Sequence, residues 1–232
     1  MTAYSGIRRG NIIAKSAAGI GIFAALLMLA IPASVRAARE ELAGECGNPF
    51  NNGVGPYDYN NGEERTNLQK IPIVEKFHFT PVVESLAHGS TSESAMGDID
   101  YTLRAIPNHH RALNAMARFD IEKKGGIPPQ WHPAQCWFDR AIDFRPDDGQ
   151  VWLIYANWSA RKQRNEDALK AYTRAKELLP DSIELEYNMG LLYFKMGQYE
   201  QALSHAKLAY AGNYPLQGLR RRLAEKGYPL DQ

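Results

Sequence analysis

The chain has too little cysteine, net charge and clustered glycine for several large functional classes. Its 232 residues hold only two cysteines, Cys46 and Cys136. No Cys-x-x-Cys-His stretch occurs, which excludes covalent haem. Formal net charge is +1, so no basic field argues for nucleic acid. No glycine loop is built to cradle a phosphate, because the stretch around Gly53 and Gly55 has no helix after it. No catalytic constellation stands out either. Ser90, Ser92 and Ser94 lie in a polar loop without a nucleophile elbow. Glu63, Glu64, Asp147 and Asp148 read as solvated loop charges or as acids at helix N-termini. A metal site can be drawn from His109, His110, His132 and Cys136, but their spacing matches no ligand pattern. No cofactor is expected.

What charge asymmetry there is sits at the start. Residues 1–37 carry Arg8, Arg9, Lys15 and Arg36 and no acid. With those four set aside, 23 basic residues face 26 acidic ones, so the rest of the chain is mildly acidic. Ser16 to Val35 then runs without a charge and ends in Pro32 and a small-residue exit at Ala37. This is the pattern of a secretory signal peptide. An uncleaved anchor through residues 16–35 is the open alternative, since the run is long enough to span a bilayer. Either way the chain is expected to be exported, as a periplasmic or membrane-anchored protein. The Cys46 context is displaced from the apolar run and one residue too long for a lipoprotein box. In an oxidising compartment, Cys46 and Cys136 can form one disulfide. Two unpaired thiols remain the competing reading, with Cys136 as a small core residue.

Residues 38–79 read as an irregular strap. The part from Cys46 onward is rich in glycine, asparagine and proline, which is turn chemistry. It also carries Phe50, Val54, Tyr57 and Tyr59, too many large side chains for a plain linker. The apolar, partly alternating run from Ile71 to Phe79 suggests a strand without a partner. Residues 80–232 read as a helical domain. Thr80 and Pro81 open a helix expected to reach about His88. Further helices are predicted over 96–106, 110–123 and 134–144. A Gly–Pro break and an inserted loop around 125–131 separate the last two.

The strongest signal is a repeat. Trp152, Tyr155, Ala156, Ala168, Tyr172, Ala175 and Pro180 are followed one period later by Gly190, Tyr193, Ala202 and Ala209. The pairs Ala156/Gly190, Ala168/Ala202 and Ala175/Ala209 are each 34 residues apart. On these residues, 149–182 and 183–216 resemble tetratricopeptide repeats. The resemblance is weaker upstream, at 110–146 and 81–107. It implies an all-α solenoid of antiparallel helix pairs, closed by a capping helix over 216–226 with Leu219 and Leu223 inward.

The resemblance also implies where a partner binds, since first helices of such pairs line a concave groove. In that register Leu153, Asn157, Arg161, Tyr187, Leu191, Phe194 and Lys195 face it. Asn157 and Asn188 fall where carboxylate-binding relatives hold asparagines. Leu153 stands where those relatives hold a lysine, which argues against chaperone-tail binding. Whether the strap fills the groove is open at this level. The expected function is a non-catalytic adaptor for a protein or peptide partner in the bacterial envelope. The alternatives are a self-assembling surface subunit, or an enzyme or metal protein built on the histidines.

Overall fold

The structure is a computed structural model that describes residues 46–123 and 125–230. The leader at 1–37 and the span at 16–35 lie outside the described residues. Among the described residues no helix is long and apolar enough to cross a membrane.

The core of the molecule is a run of helix pairs: α1 (Gly62–Thr66), α2 (Ile71–His78), α3 (Pro81–Glu84), α4 (Ala95–Ala105), α5 (His110–Glu122), α6 (Ala134–Phe144), α7 (Gly149–Arg161), α8 (Asn165–Leu178), α9 (Ile183–Lys195), α10 (Tyr199–Ala211) and α11 (Gly218–Glu225). Helices α7 with α8 and α9 with α10 pack most closely, and α11 closes the end against α9 and α10. This is a tetratricopeptide-like α-solenoid.

Small residues decide how near the paired helices come. Ala156, Ala168, Ala175, Ala202, Ala206 and Ala209 are all fully buried. A Cβ on Gly190 would stand 2.6 Å from Leu219 Cδ2 and 3.3 Å from the Ala202 carbonyl oxygen, so a side chain there would force the Leu219 side chain to shift. Helix α7 is apolar on two sides. Val151, Ile154 and Trp158 pack into the upstream core with Phe138 and Met116. Leu153 and Ala156 pack into the downstream core with Tyr172, Leu185 and Met189. One helix thus joins the two halves of the array.

Several helices end alike. After α3, α7, α9, α10 and α11 the chain turns through a left-handed residue: Leu86, Gln163, Gly197, Asn213 and Gly227, with φ between 62° and 85°. The next amide in each case reaches back five residues, as Ala87 does to the Val82 carbonyl and Arg164 to the Ser159 carbonyl. Gln163 and Gly197 are one period apart, so the repeat keeps the turn even where it lacks the glycine. At Leu86 the same turn ends α3 at Glu84, four residues short of the expected end near His88. Ile71–His78 is also helical, not a strand. Ile71 and Val74, three apart, face one core with Tyr59 and Ile106, and Pro72 sits in the first turn where its missing N–H is harmless.

Two buried carboxylates order what is not helical. Asp98 accepts hydrogen bonds from the Ser90, Thr91 and Ser92 amides, from Thr91 Oγ1 and from His78 Nδ1. The serine-rich loop is therefore wrapped around a carboxylate. Asp148 caps α7 through the Gln150 and Val151 amides, and takes further bonds from Asn60, Asn108 and His110.

The strap from Cys46 lies along α4 and α6. Cys46 is disulfide-bonded to Cys136, 90 residues away. Arg140 donates to the carbonyls of Cys46 and Gly47 and to Asn52 Oδ1. The Tyr57 amide donates to the Ala105 carbonyl at 2.8 Å, and the Tyr59 amide to Asn108 Oδ1. Gly55, at φ 79°, passes so close to the Ala105 carbonyl that any side chain there would clash.

Two outcomes follow for stability. Replacing both cysteines (Cys46→Ser with Cys136→Ser) is expected to lower unfolding free energy by about 4.6 kcal/mol in the chain-entropy model. Hydrogen exchange should then speed up in residues 46–60 while α9 and α10 keep their protection. The second outcome concerns acid. Burial alone would push the Asp98 carboxyl up, but the bonds from Thr91, His78 and the Ser90 and Ser92 amides outweigh it and hold it at about 2. Its folded value is depressed, so its stabilisation is complete above about pH 4 and is lost as pH falls toward 2. The stability gap between the native chain and Asp98→Asn, read from urea unfolding, should be widest near neutral pH and close across that window.

Candidate functional site

Helices α7 and α9 run side by side and leave a groove between them, closed at one edge by α11. Its volume is roughly 720 Å³. Residues three or four apart on a helix share a face, which brings Asn157 and Arg161 to one wall, and Glu184, Asn188, Leu191 and Lys195 to the other. Phe194 and Arg222 complete it. The cations Arg161, Lys195 and Arg222 outnumber Glu184 in this lining.

The amide of Asn157 is set by its neighbour. Tyr172 donates its hydroxyl proton to Asn157 Oδ1 at 2.6 Å. Burial pushes the Tyr172 phenol up, so it stays a donor at physiological pH. With its oxygen occupied, Asn157 has its two N–H donors left to offer. Lys195 donates to the Ala160 carbonyl at 2.8 Å, which ties α9 to the C-terminus of α7. Arg161 stands 3.7 Å from Glu122, with both side chains about half exposed, so this pair is a weak restraint.

Five of the seven sequence candidates line the groove: Asn157, Arg161, Leu191, Phe194 and Lys195. Asn188 joins them. Two do not. Leu153 is 1% exposed and packs with Tyr172, Leu185 and Met189 in the downstream core. It lies on the expected face of α7, but those side chains close that end of the groove over it. Tyr187 is 6% exposed, stacked on Tyr214 with ring centroids 4.4 Å apart, under Gly218 of the capping helix. Sequence reasoning missed Gln163, Tyr172, Glu184 and Arg222 in the lining. Arg222 comes from a helix outside the two clear repeats, so no repeat register could have placed it there.

Among the described residues the strap, from Cys46 onward, does not line this groove, and its hydrogen bonds go to α4, α6 and the turn at Asn108. The histidines proposed for a metal are drawn apart by separate partners. His109 Nε2 meets Glu75, His110 Nε2 meets Asp148, and His132 sets its ring edge-on to Trp137. Cys136 is taken by the disulfide. Among the described residues no three metal-ligating side chains gather.

No family model matches the chain. Among curated proteins it is similar to the peroxisomal targeting signal receptor of Eremothecium gossypii, 29% identical over 107 residues, covering 43% of this chain and 19% of that protein. The receptor of the same name from Candida albicans is 34% identical over 68 residues, 29% of this chain and 12% of the relative. Superkiller protein 3 of Schizosaccharomyces pombe is 36% identical over 96 residues, 41% of this chain and 6% of the relative. The chain thus spans less than a fifth of the length of these relatives. The similarity agrees with the tetratricopeptide character of the helix pairs.

The division between groove and core is measurable. Leu153→Ala is expected to cost about 3 kcal/mol of stability. Arg161→Ala, on a half-exposed side chain, should change it by less than about 0.5 kcal/mol. Parallel urea titrations check the pair, and equal losses would put Arg161 in the fold rather than on the surface.

Proposed function

We propose that the chain is a non-catalytic protein-binding adaptor that takes an extended peptide or partner helix in the groove between α7 and α9. The observation that carries this reading is the groove's lining. The amides of Asn157 and Asn188 suit a peptide backbone, Leu191 and Phe194 suit an apolar side chain, and the excess of Arg161, Lys195 and Arg222 over Glu184 suits an acidic group. A targeting signal receptor, as its name says, recognises a signal in another protein. The partial similarity to such receptors supports a receptor-like use of this module.

The proposed setting is the bacterial envelope, facing the periplasm, with residues 16–35 either removed or kept as a tether. The charge pattern of residues 1–37 supports export. The Cys46–Cys136 bridge supports it independently, because such bonds persist in oxidising compartments.

The test is an affinity capture from a crosslinked envelope fraction, comparing the native chain with an Asn188→Ala/Phe194→Ala variant of native circular dichroism. The variant should recover the partner at roughly one tenth of the native level or less. Equal recovery by both would move binding off the groove. Recovery of the chain alone would favour a self-assembling subunit.

A further inference from the structure

A second cleft lies between the strap and the loop inserted after α5. Two adjoining hollows of roughly 530 Å³ each make it up, and they share Arg104 and His132. One is walled by the strap at 47–54, the other by the inserted loop at 129–133. Both segments are departures from a plain array of helix pairs, and they converge here. The disulfide holds them together, since Cys46 lines one hollow and Cys136 the other.

The lining is rich in hydrogen-bond donors. Arg104 on α4 and Arg140 on α6 bring two cations, against the single carboxylate of Asp100, which Arg104 contacts at 2.5 Å. Asn51, on the strap wall, is exposed. Two donors in the α6 wall have no acceptor among the described residues: Trp137 Nε1 and Arg140 Nε. Their side chains are 1% and 5% exposed. Orphaned donors at such depth are rare in folded proteins, because an unmade bond there is destabilising. The Arg140 guanidinium lies against the turn carbonyls of Cys46 and Gly47, the wall of the cleft that yields most readily.

We propose that this cleft is a binding site for a small organic carboxylate. Its two oxygens meet the Arg104 fork and the donors of the Trp137–Arg140 wall. A volume of this size accepts a short acid or the last residues of a peptide. The site is separate from the α7–α9 groove and does not rest on the adaptor reading.

The test is titration of the oxidised full chain, labelled with ¹⁵N, with succinate, with trialanine and with trialanine amide. The readout is the Trp137 indole N–H resonance, assigned by its disappearance in Trp137→Phe. A saturable downfield shift is expected from a carboxylate and none from the amide. Succinate alone would make the ligand a free acid, and trialanine alone a peptide end. Arg104→Gln and, independently, Asn51→Ala should weaken binding, Arg104→Gln by roughly tenfold or more. Phe194→Ala should leave it unchanged. No saturable shift from either carboxylate would overturn the proposal, as would a shift that both cleft variants keep.

Discussion

The structure depends on how closely the paired helices approach. At Ala156, Ala168, Ala175, Gly190, Ala202 and Ala209 the chain gives up side-chain volume so that two backbones come together. The large residues between them, Tyr172, Leu185 and Leu192, then fill the gaps, as close-packed interiors require. The repeat turns follow from the same restraint. A helix stopped at one fixed length must reverse in two or three residues, and a left-handed residue with a bond reaching back five residues does that while satisfying carbonyls of the last turn. The groove is a by-product of this packing. It exists because α7 and α9 are held side by side while their outward faces diverge, and its walls inherit the rigidity of the cores behind them.

The strap follows different physics. Between Cys46 and Asn60, only Cys46, Pro49 and Tyr59 are buried, and Phe50 and Val54 remain exposed. Burial on that scale does not offset the conformational entropy of ordering a turn-rich segment. Its place is fixed instead by directional bonds to buried partners: Arg140 to two carbonyls, Asn108 to the Tyr59 amide, Asp148 to Asn60. Asp148 matters most of these, because the same carboxylate caps α7. Burial pushes it up, yet the bonds from His110, Asn108 and the Val151 amide hold it below the usual carboxylate range, so it remains charged at the helix N-terminus. The strap and the central helix of the array thus share one buried anion.

How much of this the amino-acid sequence carries depends on whether the information is periodic. The 34-residue spacing of small and aromatic residues is legible, and with it the helix pairs over 149–216 and the capping helix with Leu219 and Leu223 inward. Helix α6 spans the expected residues for the same reason. Turn signals are legible only where glycine marks them. Gly197 is such a mark, whereas Leu86 and Gln163 adopt the same left-handed turn with residues that give no warning. The run from Ile71 offers two periods in eight residues, too few to separate alternation from helix, and tertiary burial of Ile71 and Val74 decides it. Within the groove, repeat register gives the face of a helix but not the depth along it. Leu153 and Asn157 lie on one stripe, and only the side chains of neighbouring helices determine that the first is core and the second is lining.

The two concavities differ in what holds them open, and this bears on how they can be controlled. The α7–α9 groove is built from helices packed over continuous apolar cores, so its shape persists as long as the solenoid is folded. The strap cleft has one wall of helix and one of turn backbone, and the second wall is held by a single covalent bond plus a few hydrogen bonds. Breaking Cys46 from Cys136 releases about 90 residues of loop closure in the unfolded chain, but in the folded chain it frees chiefly the strap. Arg140 then becomes the principal anchor. Burial pulls its guanidinium affinity for a proton down without removing the charge, and it would face Asp100 and solvent with fewer carbonyls to satisfy it. Loss of the bridge therefore alters the cleft before it alters the groove, which makes the redox state of one cysteine pair a property of one face of the molecule and not of the other.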